Sequence, residues 1–347
     1  MTPLSPLQLG LALAGAVLLL AVALHGVWVS RRHAPRQASI DDDNPSAPSG
    51  EGVEPSLDAA AFELSHFPLP LPEKKPLLDS LIDVLASINL DSPVSGDAAL
   101  AAMPPTRRVG SKPFAIEGYN ESAQRWEVPV PGERYSAFQA GVQLANRAGA
   151  LNDIEYSEFV IKTQAFCDAV NGTPEFPEMQ EEVARARELD QFASEHDAQL
   201  GFVLRARHAA WSPGYVQQSA ARLGFVAGAI PGRMVIAAAT PGLPPVLGLS
   251  FDTQAALADD PAQSAIRELA LSLDVPQVDR EEQPFERMRE VALALAANMD
   301  GLLMDHQGMP LGAAALDGIA ADLTQLYDTL AQRELGAGSS LARRLFS

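Results

Sequence analysis

Cysteine is nearly absent from this chain of 347 residues: Cys167 stands alone, so no intramolecular disulfide can form, as suits a reducing compartment. Cys167 lies in an apolar helical pattern without basic neighbours and is expected to be a buried small hydrophobe rather than a reactive thiol. Positive charge is also scarce. Lys and Arg total 25 against 44 acids, a formal net charge of −19. Binding to nucleic acid through phosphate neutralisation is thereby excluded. The six histidines are scattered, with no pair at helical ligand spacing and no cysteine beside one, which argues against a metal site.

Catalytic signatures are missing too. There is no G-x-x-x-x-G-K-[ST], no G-x-G-x-x-G after a strand and no G-x-S-x-G elbow. Paired acids occur at Glu181-Glu182 and Glu281-Glu282, on polar helix faces where solvated charge is the default. Asp305-His306 sits in a turn with no nucleophile nearby. Neither a cofactor nor an enzymatic reaction is expected.

What the chain does have is one long apolar run. Leu9 to Val29 carries no acid, Lys or Arg. At about 1.5 Å of rise per residue, a helix of this length crosses a hydrocarbon core of about 30 Å. Residues 1–8 are uncharged, whereas Arg31, Arg32, His33 and Arg36 follow the run. The positive-inside tendency then places the short N-terminus outside and the remaining chain in the cytoplasm. A cleaved signal peptide fits less well, because the n-region is not basic and the apolar run is longer than a usual h-region.

Residues 30–75 form the basic collar and an acidic, Pro-rich linker, whose composition cannot bury enough apolar surface to offset ordering entropy. A flexible linker of this length spans about 35 Å. From residue 76 the pattern is globular. Strand-like alternation at 82–88, stopped by Asp91-Ser92-Pro93, leads to a short Ala-rich helix and three extended pieces. An amphipathic helix with Tyr156, Phe159, Val160, Thr163, Phe166, Cys167 and Val170 on one face follows, and then a charged helix. The order recurs in the second half. A strand at 202–207 precedes a helix opened by Ser212-Pro213-Gly214, and strands follow at 234–238, 246–251 and 266–273. Next come a helix with Phe285, Met288, Ala292, Leu295 and Met299 on one face, a strand at 302–304 and a last helix.

The expected fold class is therefore α+β: a transmembrane helix, then two tandem units, each an antiparallel or mixed sheet with helices on one face. The boundaries are 1–8 outside the membrane, 9–29 transmembrane, 30–75 linker, 76–198 first unit (a divergent copy), 199–335 second unit, and 336–347 a flexible tail.

The second unit resembles the C-terminal FtsZ-binding domain of ZipA-like cell-division proteins. The resemblance lies in Ala297 to Leu311 (ANMDGLLMDHQGMPL), in Leu223-Gly224-Phe225 and in Gly232 to Ile236. No one of these is specific alone; order and spacing give them weight, over roughly residues 200–335. The resemblance implies a split β-α-β fold whose exposed sheet face holds a groove for the FtsZ C-terminal peptide. Carried over by position, the groove is expected to be lined by Met234 and Ile236, with Leu271 and Leu273 as further candidates and Arg205 adding basic character. Strand alternation alone does not say which phase the helices cover. The chain departs from the family in its basic first strand (Arg205, Arg207), its short acidic linker and its two folded units. The resulting expectation is an inner-membrane adaptor that tethers FtsZ filaments at the division site. Two other readings stand beside it: a membrane-anchored regulator or enzyme using a cleft between the units, and an adaptor for another protein partner.

Overall fold

The computed structural model describes Arg36 and residues 77–258 and 264–347. The apolar run 9–29 and the rest of the expected linker lie outside the described residues. Among the described residues, no helix is long and apolar enough to cross a membrane. The chain divides into two compact units, one holding residues 41–197 and 340–347, the other residues 1–40 and 198–339.

In the first unit the order is β1 (Asp83–Ser95), α1 (Gly96–Ala102), β2 (Arg108–Val109), β3 (Lys112–Asn120), β4 (Arg125–Glu127), β5 (Arg134–Gln143), β6 (Ala145–Asn146), β7 (Gly149–Ala150), α2 (Asp153–Val170), β8 (Gly172–Glu175) and α3 (Met179–His196). The main sheet runs β2-β3-β5-β1-β8, with β4 on β3, and every ladder is antiparallel. β1 does not stop at Asp91-Ser92-Pro93. Its register against β5 shifts between Asn89 and Val94, and this irregularity takes up Pro93, which has no N–H to donate. α2 starts at a capping box: the Asn152 side chain accepts from the N–H groups of Ile154 and Glu155, and the Glu155 carboxylate accepts from the Asn152 N–H. Its apolar stripe packs on the sheet, with Phe166 edge-on to Phe138 at 5.2 Å. Cys167 is fully buried in this stripe, and burial pushes its thiol up to about 11.

The expected flexible tail is replaced by structure. Ser340–Leu345 form a short C-terminal helix, and Leu345 and Phe346 are fully buried within the first unit. The reason is electrostatic as well as apolar. Arg344 donates from Nη2 to Asp83 Oδ1 (2.5 Å) and from Nη1 to Asp83 Oδ2 (3.0 Å), a bidentate pair for a fully buried carboxylate.

The second unit runs β9 (Gln199–Ala206), α4 (Pro213–Ala221), β10 (Val226–Ala227), β11 (Arg233–Ile236), β12 (Leu247–Phe251), β13 (Glu268–Asp274), α5 (Pro284–Met299), β14 (Gly301–Met304) and α6 (Ala313–Gln332). Its sheet order is β10-β11-β12-β13-β9-β14, again antiparallel throughout. In both units the first strand lies between the last sheet strand and the strand that precedes the long amphipathic helix. That helix ends in both cases on a left-handed residue, Asn171 (φ 53°) or Asp300 (φ 54°), followed by a glycine that opens the edge strand. A Cβ at Gly172 would press on Ile88, and one at Gly301 on Leu204, each a buried side chain of the first strand.

Candidate peptide-binding face

The two faces of the second unit's sheet differ sharply in side-chain size. One phase of alternation carries Met234, Ile236, Leu247, Leu249, Phe251, Leu269, Leu271, Leu273, Phe202 and Leu204, and all are buried. They meet Phe285, Met288, Ala292 and Leu295 of α5 and Leu316 and Leu323 of α6 in one core. The opposite phase carries Val203, Arg205, Arg233, Val235, Gly248, Ser250, Ala270 and Ser272, and none of these is buried. Ladder registers bring them together: Val235 lies opposite Gly248, Gly248 opposite Ser272, Ser250 opposite Ala270, and Ala270 opposite Val203.

The expected groove residues must therefore be corrected. Met234, Ile236, Leu271 and Leu273 are 5, 8, 1 and 2 % exposed and face the helices, so they are core. Met234 and Leu271 both pair with Leu249 across the ladders, which places all three in one buried row. Arg205 does lie on the open face. It is half-exposed and ion-paired with the equally exposed Glu268, its partner on β13, so much of its charge is already matched. The residues that sequence reasoning missed are Val203, Val235, Gly248, Ala270 and Ser272. The signal for them was the amphipathic helices: an apolar helix stripe takes the bulkier strand phase and leaves the smaller one free.

The open phase forms the floor of a cleft of about 460 Å³ with Val235, Gly248, Ser250 and Ser272 along it. Pro244 and Pro245 line it from the loop before β12, and Arg233 and Asp274 bring one charge of each sign. At Gly248 the Ser272 hydroxyl takes the space a side chain would fill: a Cβ would stand 2.6 Å from Ser272 Oγ. Gly201, opposite Ser272 on β9, is crowded by the His306 ring, and a Cβ there would overlap it. His306 comes from a tight turn in which Asp305 Oδ1 accepts from the N–H groups of Gln307 (2.9 Å) and Met309 (2.8 Å). The Asp305 carboxylate is thus spent on the turn rather than on a relay with His306. Met309, at the tip of this turn, is 62 % exposed.

In the first unit, the corresponding open phase is occupied by its own chain. Leu78 is buried against Gly141 of β5, where a Cβ would stand 2.6 Å from Leu78 Cδ2. Glu117 accepts from the N–H of Leu77 and from Gln139 Nε2 (2.9 Å), and Arg344 Nη1 donates to the Leu77 carbonyl (2.6 Å).

Among the described residues, no group of His, Cys, Asp and Glu could hold a metal ion. Glu282 accepts from the Ala239 N–H and pairs with Arg287, both structural uses of one of the paired acids. The second unit is thus an α+β domain with one sheet face packed by helices and the other carrying small residues that are not buried. Residues 257–322, from the turn before β13 into α6, match the family described as ZipA, C-terminal FtsZ-binding domain, a protein-binding and not an enzymatic family. The second unit is therefore ZipA-like, on a match that covers well under half of the chain. No curated protein matches the sequence significantly.

Proposed function

We propose that the protein is a membrane-anchored adaptor of bacterial cell division that takes the FtsZ C-terminal peptide on the open sheet face of the second unit. The observation that carries this reading is the free, small-residue phase of β11, β12, β13 and β9, within a unit matched to the FtsZ-binding family. The groove is floored by Val203, Val235, Gly248, Ala270 and Ser272 and flanked by Arg205 and Arg233. An apolar peptide side chain would seat over the small residues of this face, beside Val235. Residues 9–29 supply the single inner-membrane span, N-terminus outside, with both folded units in the cytoplasm. Because Leu78 already occupies the first unit's face, each chain offers one groove.

Vesicle recruitment tests the combination. Full-length protein in liposomes should co-sediment FtsZ filaments with the lipid. A chain lacking residues 1–30 should bind FtsZ in solution but leave the filaments off the vesicles. Equal recruitment by both chains would refute the anchor, and no binding by either folded protein would refute the partner.

A further inference from the structure

The described residue nearest the apolar run is Arg36, and it belongs to the second unit. Its backbone closes a β-bridge beside Trp211: the Arg36 N–H donates to the Ala210 carbonyl (2.7 Å), and the Ser212 N–H donates to the Arg36 carbonyl (2.9 Å). Its guanidinium donates from Nη2 to Asp300 Oδ2 (3.1 Å), the same oxygen that His208 Nδ1 approaches at 3.0 Å. The His208 hydrogen bond, with the nearby Arg36 and Arg207 charges, holds the Asp300 carboxyl below the usual carboxylate range.

This docking site is rigid. Trp211 is fully buried, exchanges two backbone hydrogen bonds with Ile266 (2.8 Å each) and donates from its indole to the Met299 carbonyl (2.8 Å). Asp300 is the left-handed cap of α5, so the strap touches both the end of the long helix and the start of α4.

We propose that the basic segment after the apolar run is a strap that docks through Arg36 onto the ZipA-like unit and holds that unit close to the membrane. The proposal rests on the anchor reading above. Only seven residue steps, with six residues between, lead from Val29 to Arg36. Fully extended, they span about 25 Å at about 3.5 Å per residue. The height of the FtsZ-binding groove is then set by the chain between the apolar run and Arg36.

Energy transfer from a dye on the second unit to a lipid-borne acceptor reads this height. A label at Glu290→Cys serves, since Cys167 is buried. In full-length protein in phosphatidylethanolamine–phosphatidylglycerol vesicles, twenty Gly/Ser residues inserted between 40 and 76 should leave the transfer unchanged. The same insertion between 29 and 36, or Arg36→Pro, should reduce it at least twofold. A fall with the first insertion, or none with the other two changes, would overturn the strap. Trypsin gives a readout that needs no membrane. In detergent, the bond after Arg36 should be cut at least tenfold more slowly than those after Arg31 and Arg32, and Asp300→Asn should remove most of that protection. Equal cutting at all three in the unaltered protein would refute the docking itself, whereas a chain that fails to float with vesicles would refute only the anchor.

Discussion

Asp83 and Arg344 are 261 positions apart, and their pairing is the interaction on which the first unit's C-terminal helix turns. Burial pushes the Asp83 carboxyl above its ordinary range, while the hydrogen bond and charge of Arg344 pull it back. Replacing Arg344 with Ala strands a carboxylate that is fully buried, a change that costs about 3–5 kcal/mol when a buried pair loses one partner. The sign of the pH dependence follows from the raised value. A carboxyl whose folded pKa lies above its unfolded pKa stabilises the fold when protonated, and that contribution is lost as pH rises through the folded value. The deficit of Arg344→Ala in urea denaturation should therefore be largest near neutral pH and shrink towards pH 4, and Asp83→Asn in the same chain should recover most of it. A pH-independent deficit would mean that Arg344 acts through packing alone. No sequence window of helical or strand length contains both partners, so a tail with two arginines looked like a frayed end. Cys167 was legible for the opposite reason: its helix periodicity is local.

At the scale of elements, the periodic patterns of the second half located each main strand and helix to within a few residues, because alternation and the 3.6-residue stripe are written in consecutive side chains. Which strand phase faces the helices is not local information, and here Met234, Ile236, Leu271 and Leu273 were placed on the wrong side. A one-residue change of phase moves every side chain of a strand to the other face. The consequence can be measured. Leu271→Ala should destabilise the fold by about 2–5 kcal/mol, as expected for a large-to-small change in a packed core. Val235→Asp, on the opposite phase, should change stability by no more than about 0.5 kcal/mol, as surface substitutions usually do. Comparable losses in thermal or urea denaturation would mean that both faces are covered. β1 carries a second lesson: Pro93 signalled an end, but an irregularity in the ladder let the strand continue to Ser95.

At the scale of the whole molecule, the two units share the placing of their first strand next to the closing edge strand and differ in what lies on the free sheet face. The first keeps Leu77 and Leu78 of its own chain there; the second leaves small residues that are not buried. Element order made the repetition visible in the sequence, whereas the plug by Leu78 depends on Gly141 and Glu117, far along the chain. The free groove belongs to the unit that also carries Arg36, the described residue that follows the apolar run. That arrangement suits an adaptor whose product is a position rather than a reaction.

The most direct measurement is a calorimetric titration of the full-length protein in nanodiscs with the FtsZ C-terminal peptide. One peptide should bind per chain, and Val235→Asp should abolish binding while the protein stays folded. Two peptides per chain, or undiminished binding by Val235→Asp, would contradict the assignment of the groove; no heat from the folded, unaltered protein would contradict the partner.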